Sequence, residues 1–414
     1  MNKQTVAVIG LGYIGLPTAA ILASKGHRVI GVDLDTERMD AVNRGELPFV
    51  EPGLETLLSE AVSSGNLTAQ ADIPEADAYI VAVPTPHDDA HQVDMRYIDA
   101  ASKSLAPKLG PDALVILEST TAPGTTERMA DVILAERPDL SADGSQDRPI
   151  VHFAHCPERV LPGRIMVELT TNDRVIGGVT PKAAELARDL YASFCEGQMP
   201  LTDARTAEMA KLTENSFRDV NIAFANELSI ICDRLGIDVW ELIELANLHP
   251  RVNILQPGPG VGGHCIAVDP WFIVSSAPDE SKLIKQARLV NDSKPDIVID
   301  KVVAAADGES KPVVAALGLA FKPDIDDLRE SPALDITRRL AEKLPHATIL
   351  AVEPNVHEMP AALRDLDNVE LTDLDSALDR ASAIAMLVDH SEFKAVDRAK
   401  LGDKPVIDTR GVWR

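Results

Sequence analysis

The stretch TVAVIGLGYIGLPTAAILASKGHRVIGVDLD, residues 5–35, decides the reading of the fold. Residues 5–9 form a short apolar run bounded by glycine, which predicts a buried strand. Gly10, Gly12 and Gly15 follow as G-x-G-x-x-G. Residues 17–25 have helical spacing, and Gly26 stops them. Residues 27–32 give a second strand-like run that ends at Asp33. Strand, glycine turn, helix and strand together open a dinucleotide-binding α/β unit. Gly10 permits the tight turn, Gly12 lets backbone approach a pyrophosphate, and Gly15 lets the helix pack on the strand. The helix N-terminus adds N–H groups and partial positive charge for phosphate. The motif alone is weak, but between a strand and a helix it becomes a strong signal.

Asp33 lies at the end of the second strand, where a carboxylate accepts hydrogen bonds from the adenosine ribose and repels a 2′-phosphate. NAD is therefore expected rather than NADP. Arg38 is the counter-signal, since an arginine there can hold a 2′-phosphate; a solvated helix residue explains it equally well. Two further strand-like runs, 78–83 and 114–117, lead into Val83-Pro84-Thr85-Pro86 and Glu118-Ser119-Thr120-Thr121. A doubly wound fold places ligand loops at such positions, although each also reads as an ordinary turn.

Alternation of strands and helices predicts a parallel sheet with helices on both faces. The pattern changes near residue 203, where a helical run without strong breakers extends to residue 235. A second α/β pattern starts at the strand-like run 312–317 and continues through 347–352, 383–388 and 405–407, with a helix over 331–344. The expected fold class is α/β, with two Rossmann-like doubly wound lobes joined by a helical central domain that contains a long connecting helix. The expected domains are 1–202, 203–305 and 306–414.

At 414 residues the chain is long enough for two or three domains. Apolar residues make up 45% but aromatics only 4%, so Ala, Val, Leu and Ile must fill the cores. No apolar run approaches the ~20 residues of a membrane helix. The N-terminus enters a strand directly, and a cytoplasmic protein is expected. The formal net charge of −25 disfavours nucleic acid and anionic membranes as partners. An anionic substrate would need locally gathered positive charge. Cys156, Cys195, Cys232 and Cys265 have spacings of neither a zinc site nor a disulfide framework, so no metal is expected.

Cys265 closes the stretch Gly258-Pro259-Gly260-Val261-Gly262-Gly263-His264-Cys265, and Asp269 follows it. No helix forms across so many glycines. Such a loop brings backbone N–H groups close to a ligand and leaves a thiol accessible. A thiolate adds to an aldehyde as a thiohemiacetal; oxidation gives a thioester, and water releases the acid. Taken alone, Cys265 reads as readily as a structural cysteine. Lys211 and Asn215, four apart on the long helical run, share a face. A lysine there can take or return a hydroxyl proton or stabilise an oxyanion, although an exposed helix lysine is the plainer reading.

The blocks GLGYIGLP, VPTP, CPERVLPG, KLTENSFRDVNIAFANELS, HPRVNILQPGPGVGGHCIAVDPWF and FKPDIDDLRESPA resemble the UDP-glucose/UDP-mannosamine dehydrogenase superfamily over essentially the whole chain. The longer blocks are most similar to its N-acetylmannosamine branch. The resemblance implies a four-electron, NAD-dependent oxidation of a UDP-sugar at C6. It implies Cys265 as nucleophile and Lys211 as general acid/base, with Asn215 and Asp269 positioning water and reacting groups. Thr120 and Glu158 fall at the superfamily's active-site threonine and glutamate. Gly10, Gly12, Tyr13, Ile14, Gly15, Asp33, Arg38, Thr85 and Thr126 would line the NAD site, and Arg329 would reach the cofactor or the partner subunit. Arg159, Val160, Lys211, Asn215, Arg218, His249, Arg251, Gly262, Phe321 and Lys322 would contact the UDP-sugar. The first domain would bind NAD, the last the UDP-sugar, and the central helix would form a homodimer.

Two positions depart from the UDP-glucose branch. Pro162 stands where that branch has a second glutamate, and His264 where it has a serine. The base that assists thioester hydrolysis is therefore open, with His264 one candidate. The alternatives are the same chemistry on UDP-glucose or UDP-N-acetylglucosamine, a non-catalytic NAD-sensing protein, or a two-electron dehydrogenase without the second α/β lobe.

Overall fold

The computed structural model describes residues 3–49, 51–88, 92–161, 163–263 and 265–414. The chain divides into two compact units. The first comprises Met1–Glu214 with Trp271–Ser276, the second Asn215–Pro270 with Ala277–Arg414.

The first unit is built on eight strands: β1 Thr5–Ile9, β2 Arg28–Val32, β3 Leu67–Gln70, β4 Ala78–Val81, β5 Leu114–Leu117, β6 His152–His155, β7 Ile176–Gly178 and β8 Leu201–Asp203. Their order is β3-β2-β1-β4-β5-β6-β7-β8. The order reverses between β1 and β4, the point where open α/β sheets bind ligands. β1 pairs with both neighbours in parallel, with Val6 opposite Val29 and Ala78. Side chains alternate between two cores. Val6 and Val8 face one with Leu16 and Leu22. Ala7 and Ile9 face the other with Tyr79 and Ile98. Strands buried on both faces in this way read as continuous apolar runs.

The expectation of a parallel sheet needs one correction, because β6 and β7 are antiparallel. β7 is only three residues long. Gly177 and Gly178 in it sit so close to Asp203 and Thr180 that a Cβ would lie 2.4 and 2.2 Å from their carbonyl oxygens. So short an element carries no apolar pattern, and an antiparallel strand towards the margin of a mostly parallel sheet is common in doubly wound folds.

In the second unit β9 Val313–Leu317, β10 Thr348–Val352, β11 Val369–Leu371, β12 Ala383–Met386 and β13 Val406–Asp408 form a parallel sheet of order β11-β10-β9-β12-β13. This repeats the order of the first five strands. The turns match as well. Gly10 after β1 and Gly318 after β9 both have φ of +96°. A Cβ would lie 2.4 Å from Ala82 O at the first and from Val388 Cβ at the second. An acidic residue at the end of the next strand bonds the turn in each: Asp33 accepts from Leu11 N at 2.8 Å, and Glu353 from Leu319 N at 2.8 Å. The second turn is closed by protein, since Glu353 also accepts from Ala320 N and His390 Nε2.

The helix Ala204–Leu235 has 32 residues, a length of about 48 Å at 1.5 Å per residue. It leaves the first unit at Glu214 and enters the second at Asn215. Among the described residues no helix is long and apolar enough to cross a membrane.

Candidate active site

At Gly12, in the turn after β1, nothing lies within 4 Å of an added Cβ. An open face of this kind leaves room for a pyrophosphate to approach the backbone. Asp33 stands beside it and pairs with Arg38 at 3.0 Å. Burial pushes the Asp33 carboxyl upward, but N–H donors from Asp35 and Leu11 and the Arg38 guanidinium outweigh it and keep the group below the usual carboxylate range. Tyr13 stacks on Phe49 with ring centroids 4.2 Å apart, and Ile14 is half-buried beside it. The loops after β4 and β5 are stapled together: Thr85 Oγ1 donates to Thr120 O at 2.7 Å and Ser119 Oγ to Val83 O at 2.7 Å.

Thr126 is fully buried. Its hydroxyl donates to Glu208 Oε1 at 2.6 Å, and its N–H reaches the same oxygen at 2.7 Å. Glu208 thus caps the helix Thr125–Glu136 from the long helix. Thr126→Val removes one hydroxyl donor and keeps the shape. It should lower unfolding stability by about 1 kcal/mol, seen in a urea titration as a lower midpoint with an unchanged slope.

Glu158 lies after β6 and is 8% exposed. It accepts from Arg159 N at 2.6 Å and from Arg174 Nη2 at 3.2 Å. Arg159 turns to the long helix, where it pairs with Glu214, and donates to Asp173 O at 2.9 Å. Val160 is half-buried next to it. Pro162 lies outside the described residues.

In the second unit Cys265 is exposed, whereas Cys156, Cys195 and Cys232 are buried. The Cys265 carbonyl accepts from Val268 N and Asp269 N at 3.1 and 2.9 Å, so the residue sits one turn before the helix Asp269–Ser276. His264 lies outside the described residues. A Cβ at Gly262 would be 2.3 Å from Glu330 O and 2.5 Å from Pro332 Cδ, and Gly263 has φ +84°. The glycines therefore let this loop press against the segment 330–332. A buried polar ladder ties both ends of the loop to helices. Gly258 N donates to Asn226 Oδ1 at 2.9 Å, Asn226 to Asn291 at 2.9 Å, and Asn291 to Asp219 at 2.8 Å. Arg288 pairs with Asp219 and reaches Ile266 O at 3.5 Å. Nearby, Asn215 Nδ2 donates to Asp269 Oδ2 at 2.6 Å, with both residues buried. Asn215 and Lys211 lie one turn apart on the continuous helix, and Lys211 is half-buried.

Phe321 and Lys322, after β9, line a cavity of about 70 Å³ together with Gly260, Pro332, Asp389 and Arg410. Arg410 Nε donates to Asp389 at 2.8 Å. A Cβ at Gly258 would lie 2.7 Å from Arg410 Nη1. Arg410 thus joins an anion-compatible set that the sequence reading did not contain. Its only signal was a position after the last strand of a doubly wound lobe. Arg218, His249 and Arg251 are exposed on the surface of this unit. Arg329 pairs with Asp327 in its own loop. Arg174, which pairs with Glu158, and Glu118 and Tyr191, which pack beside Arg174, were also missed as partners because they are far apart in sequence.

Three models of one family, the UDP-glucose/GDP-mannose dehydrogenase family, match the chain. They are its NAD-binding domain over residues 4–195, its central domain over 205–293 and its UDP-binding domain over 315–414. The chain is 54% identical over 414 residues to an NDP-N-acetyl-D-galactosaminuronic acid dehydrogenase of Ralstonia nicotianae, covering 100% of this chain and 97% of that one. It is 54% identical over 423 residues to the UDP-N-acetyl-D-mannosamine dehydrogenase of Escherichia coli K12, covering 100% of both. Among solved structures, that of a UDP-D-ManNAc dehydrogenase from Pyrococcus horikoshii superposes with a TM-score of 0.87 at 38% identity, over 99% of this chain and 96% of that one.

Proposed function

This chain belongs to the UDP-glucose/GDP-mannose dehydrogenase family, and from that premise we propose that it oxidises UDP-N-acetyl-D-mannosamine at C6 to UDP-N-acetyl-D-mannosaminuronate, a precursor for surface polysaccharide. The observation that carries the reading is the exposed Cys265 on a glycine-packed loop, one turn from the buried Asn215–Asp269 pair. The chain is an NAD-dependent dehydrogenase, and NAD supplies the electron acceptor for two successive oxidations. Gly10, Gly12, Asp33 and the Thr85–Thr120 loops would hold it.

Lys211 takes the C6 hydroxyl proton in the first oxidation. Cys265 Sγ then bonds to the aldehyde carbon, so the intermediate stays tethered between the two oxidations. The second oxidation leaves a thioester, which water cleaves to the carboxylate and the thiol. Asn215 and Asp269 orient water and the reacting carbon, and Glu158 and Thr120 assist. Arg159, Val160, Arg218, His249, Arg251, Gly262, Phe321 and Lys322 bind the nucleotide sugar. Residues 1–202 serve NAD, 203–305 the substrate and dimer contacts, and 306–414 the UDP group. Phe217, Phe224 and Ile231 recur every seven residues, are exposed, and form one apolar stripe on the long helix. That stripe supports a homodimer through this helix. Enzyme and substrate would meet in the cytoplasm.

A second reading has its own support, since the Ralstonia relative with a galactosaminuronic acid name is as similar as the Escherichia coli one. A panel of UDP-sugars, with absorbance at 340 nm and product identification, tests both. The expected result is two NADH per UDP-N-acetyl-D-mannosamine, with kcat/KM at least about tenfold above the N-acetylgalactosamine, N-acetylglucosamine and glucose substrates. A preference for UDP-N-acetylgalactosamine would establish the second reading. One NADH per sugar would overturn the four-electron chemistry.

A further inference from the structure

Glu118 ends the strand run of β5, and its side chain is wholly buried. From the helix Gly15–Ser24, the Thr18 hydroxyl lies 3.3 Å away. From the helix Pro181–Tyr191, the Tyr191 hydroxyl lies 3.1 Å away. The loop after β6 brings Cys156 and Glu158, and the segment before β7 brings Arg174. The Arg174 side chain is 4% exposed and lies 3.2 Å from Glu158 but 4.0 Å from Glu118. Its guanidinium stacks over Tyr191 and Phe194 and reaches Cys156 Sγ at 3.8 Å.

One cation thus faces two carboxyls in a region without solvent. If both were ionised, a net negative charge would be buried, which a low-dielectric interior strongly disfavours. Geometry decides which carboxyl holds the proton. Glu158 has the closer arginine contact and a peptide N–H donor. Glu118 has the longer arginine contact and two hydroxyls, which can accept a hydrogen bond from a protonated carboxyl as well as donate one. Burial and the neighbouring Glu158 charge push Glu118 up to about 8. Burial also raises the Cys156 thiol to about 12 and raises the Tyr191 phenol, and it lowers His155 on β6 to about 3. These three are therefore neutral near pH 7.

We propose that Glu118 is a positioning residue of the reaction, a proton-bearing carboxyl that leaves Arg174 to Glu158 and so holds Glu158 in place. The inference rests on the reading of Glu158 as part of the catalytic machinery. When Glu118 ionises, it competes for Arg174 and draws it from Glu158.

The test compares full-length wild type with Glu118→Ala and Glu118→Gln, because glutamine has the shape of the protonated acid. Glu118→Ala leaves the Thr18 and Tyr191 hydroxyls without their partner and loosens the Tyr191 ring on which Arg174 stacks, so it should lower kcat at pH 7 by about tenfold with little change in KM, and Glu118→Gln should restore it. Wild-type kcat should fall as pH rises through about 8, and Glu118→Gln should lack that limb. A protonated-carboxyl infrared band at pH 7 should vanish in Glu118→Gln. The sign for stability follows from the raised pKa. Between the ordinary value of 4.5 and about 8 the folded state holds a proton that the unfolded state has lost, so stability falls across that window. Glutamine has no such loss, and its melting temperature should gain on wild type from pH 5 to pH 8. An unchanged infrared band, or a Glu118→Gln protein less stable and less active at every pH, would overturn the proposal, since an ionised Glu118 would then hold Arg174. Full turnover by Glu158→Gln would remove the reading of Glu158, and the positioning role with it. The infrared band would still report separately which carboxyl holds the proton.

Discussion

Replacing Cys265 by alanine is expected to abolish formation of the acid while leaving the fold intact. The side chain is exposed, and its loop is held at several other points. The Cys265 carbonyl accepts from Val268 and Asp269, Gly258 is held by Asn226, and Gly262 packs on Glu330 and Pro332. Alanine disturbs none of these, so the stability change should stay within about 0.5 kcal/mol. The chemical change is much larger. Without sulfur the aldehyde has no covalent anchor while the spent cofactor is exchanged, and no thioester forms for water to cleave. Turnover to the acid should fall by roughly 10³-fold or more, the scale on which covalent nucleophiles matter. Product analysis and a thermal melt on the same preparation check it. Normal uronate production by a folded Cys265→Ala protein would dispose of the covalent mechanism.

Lys211→Ala should cut kcat by ~100-fold or more, the usual scale for a lost general acid/base. Lys211 sits mid-helix and half-buried, and alanine is the best helix former, so the helix should persist. Lys211→Arg should lose about as much, because a guanidinium cannot be deprotonated near neutral pH. That pairing separates proton transfer from simple charge. If arginine restored turnover, Lys211 would be an electrostatic contact and not a base. Near-normal turnover in the alanine protein would remove it from the mechanism altogether. Steady-state rates across pH 6–9 are the measurement.

Much of the architecture is a local property of the chain. β1, β5 and the long helix fall where apolar runs, glycine stops and helical spacing place them. The Gly10 turn could be read because only glycine adopts its positive φ without strain. β3, β6, β7, β8 and β11 escaped notice, since strands of three or four residues leave little period to detect. The antiparallel β6–β7 pairing escaped for a related reason: strand direction depends on where the chain returns, which local pattern does not encode.

The site divides in the same way. Cys265 and Lys211 stood out as candidates in the sequence because a thiol and an amine carry their chemistry with them and the glycines around Cys265 advertise close packing, whereas Glu158 came only from the family resemblance. Fold class and cofactor were legible in the sequence, and so were the candidate reacting groups. Tertiary structure alone decided what stands behind those groups. Arg174, which pairs with Glu158, and Glu118 and Tyr191, which pack beside Arg174, come together from positions up to 73 residues apart, Asn226 and Arg288 brace the two ends of the cysteine loop, and Thr126 spends its hydroxyl on Glu208. The physical reason is burial. A polar group removed from water must find its partner inside the protein, and that partner is chosen by packing across the sheet and helices, not by proximity along the chain.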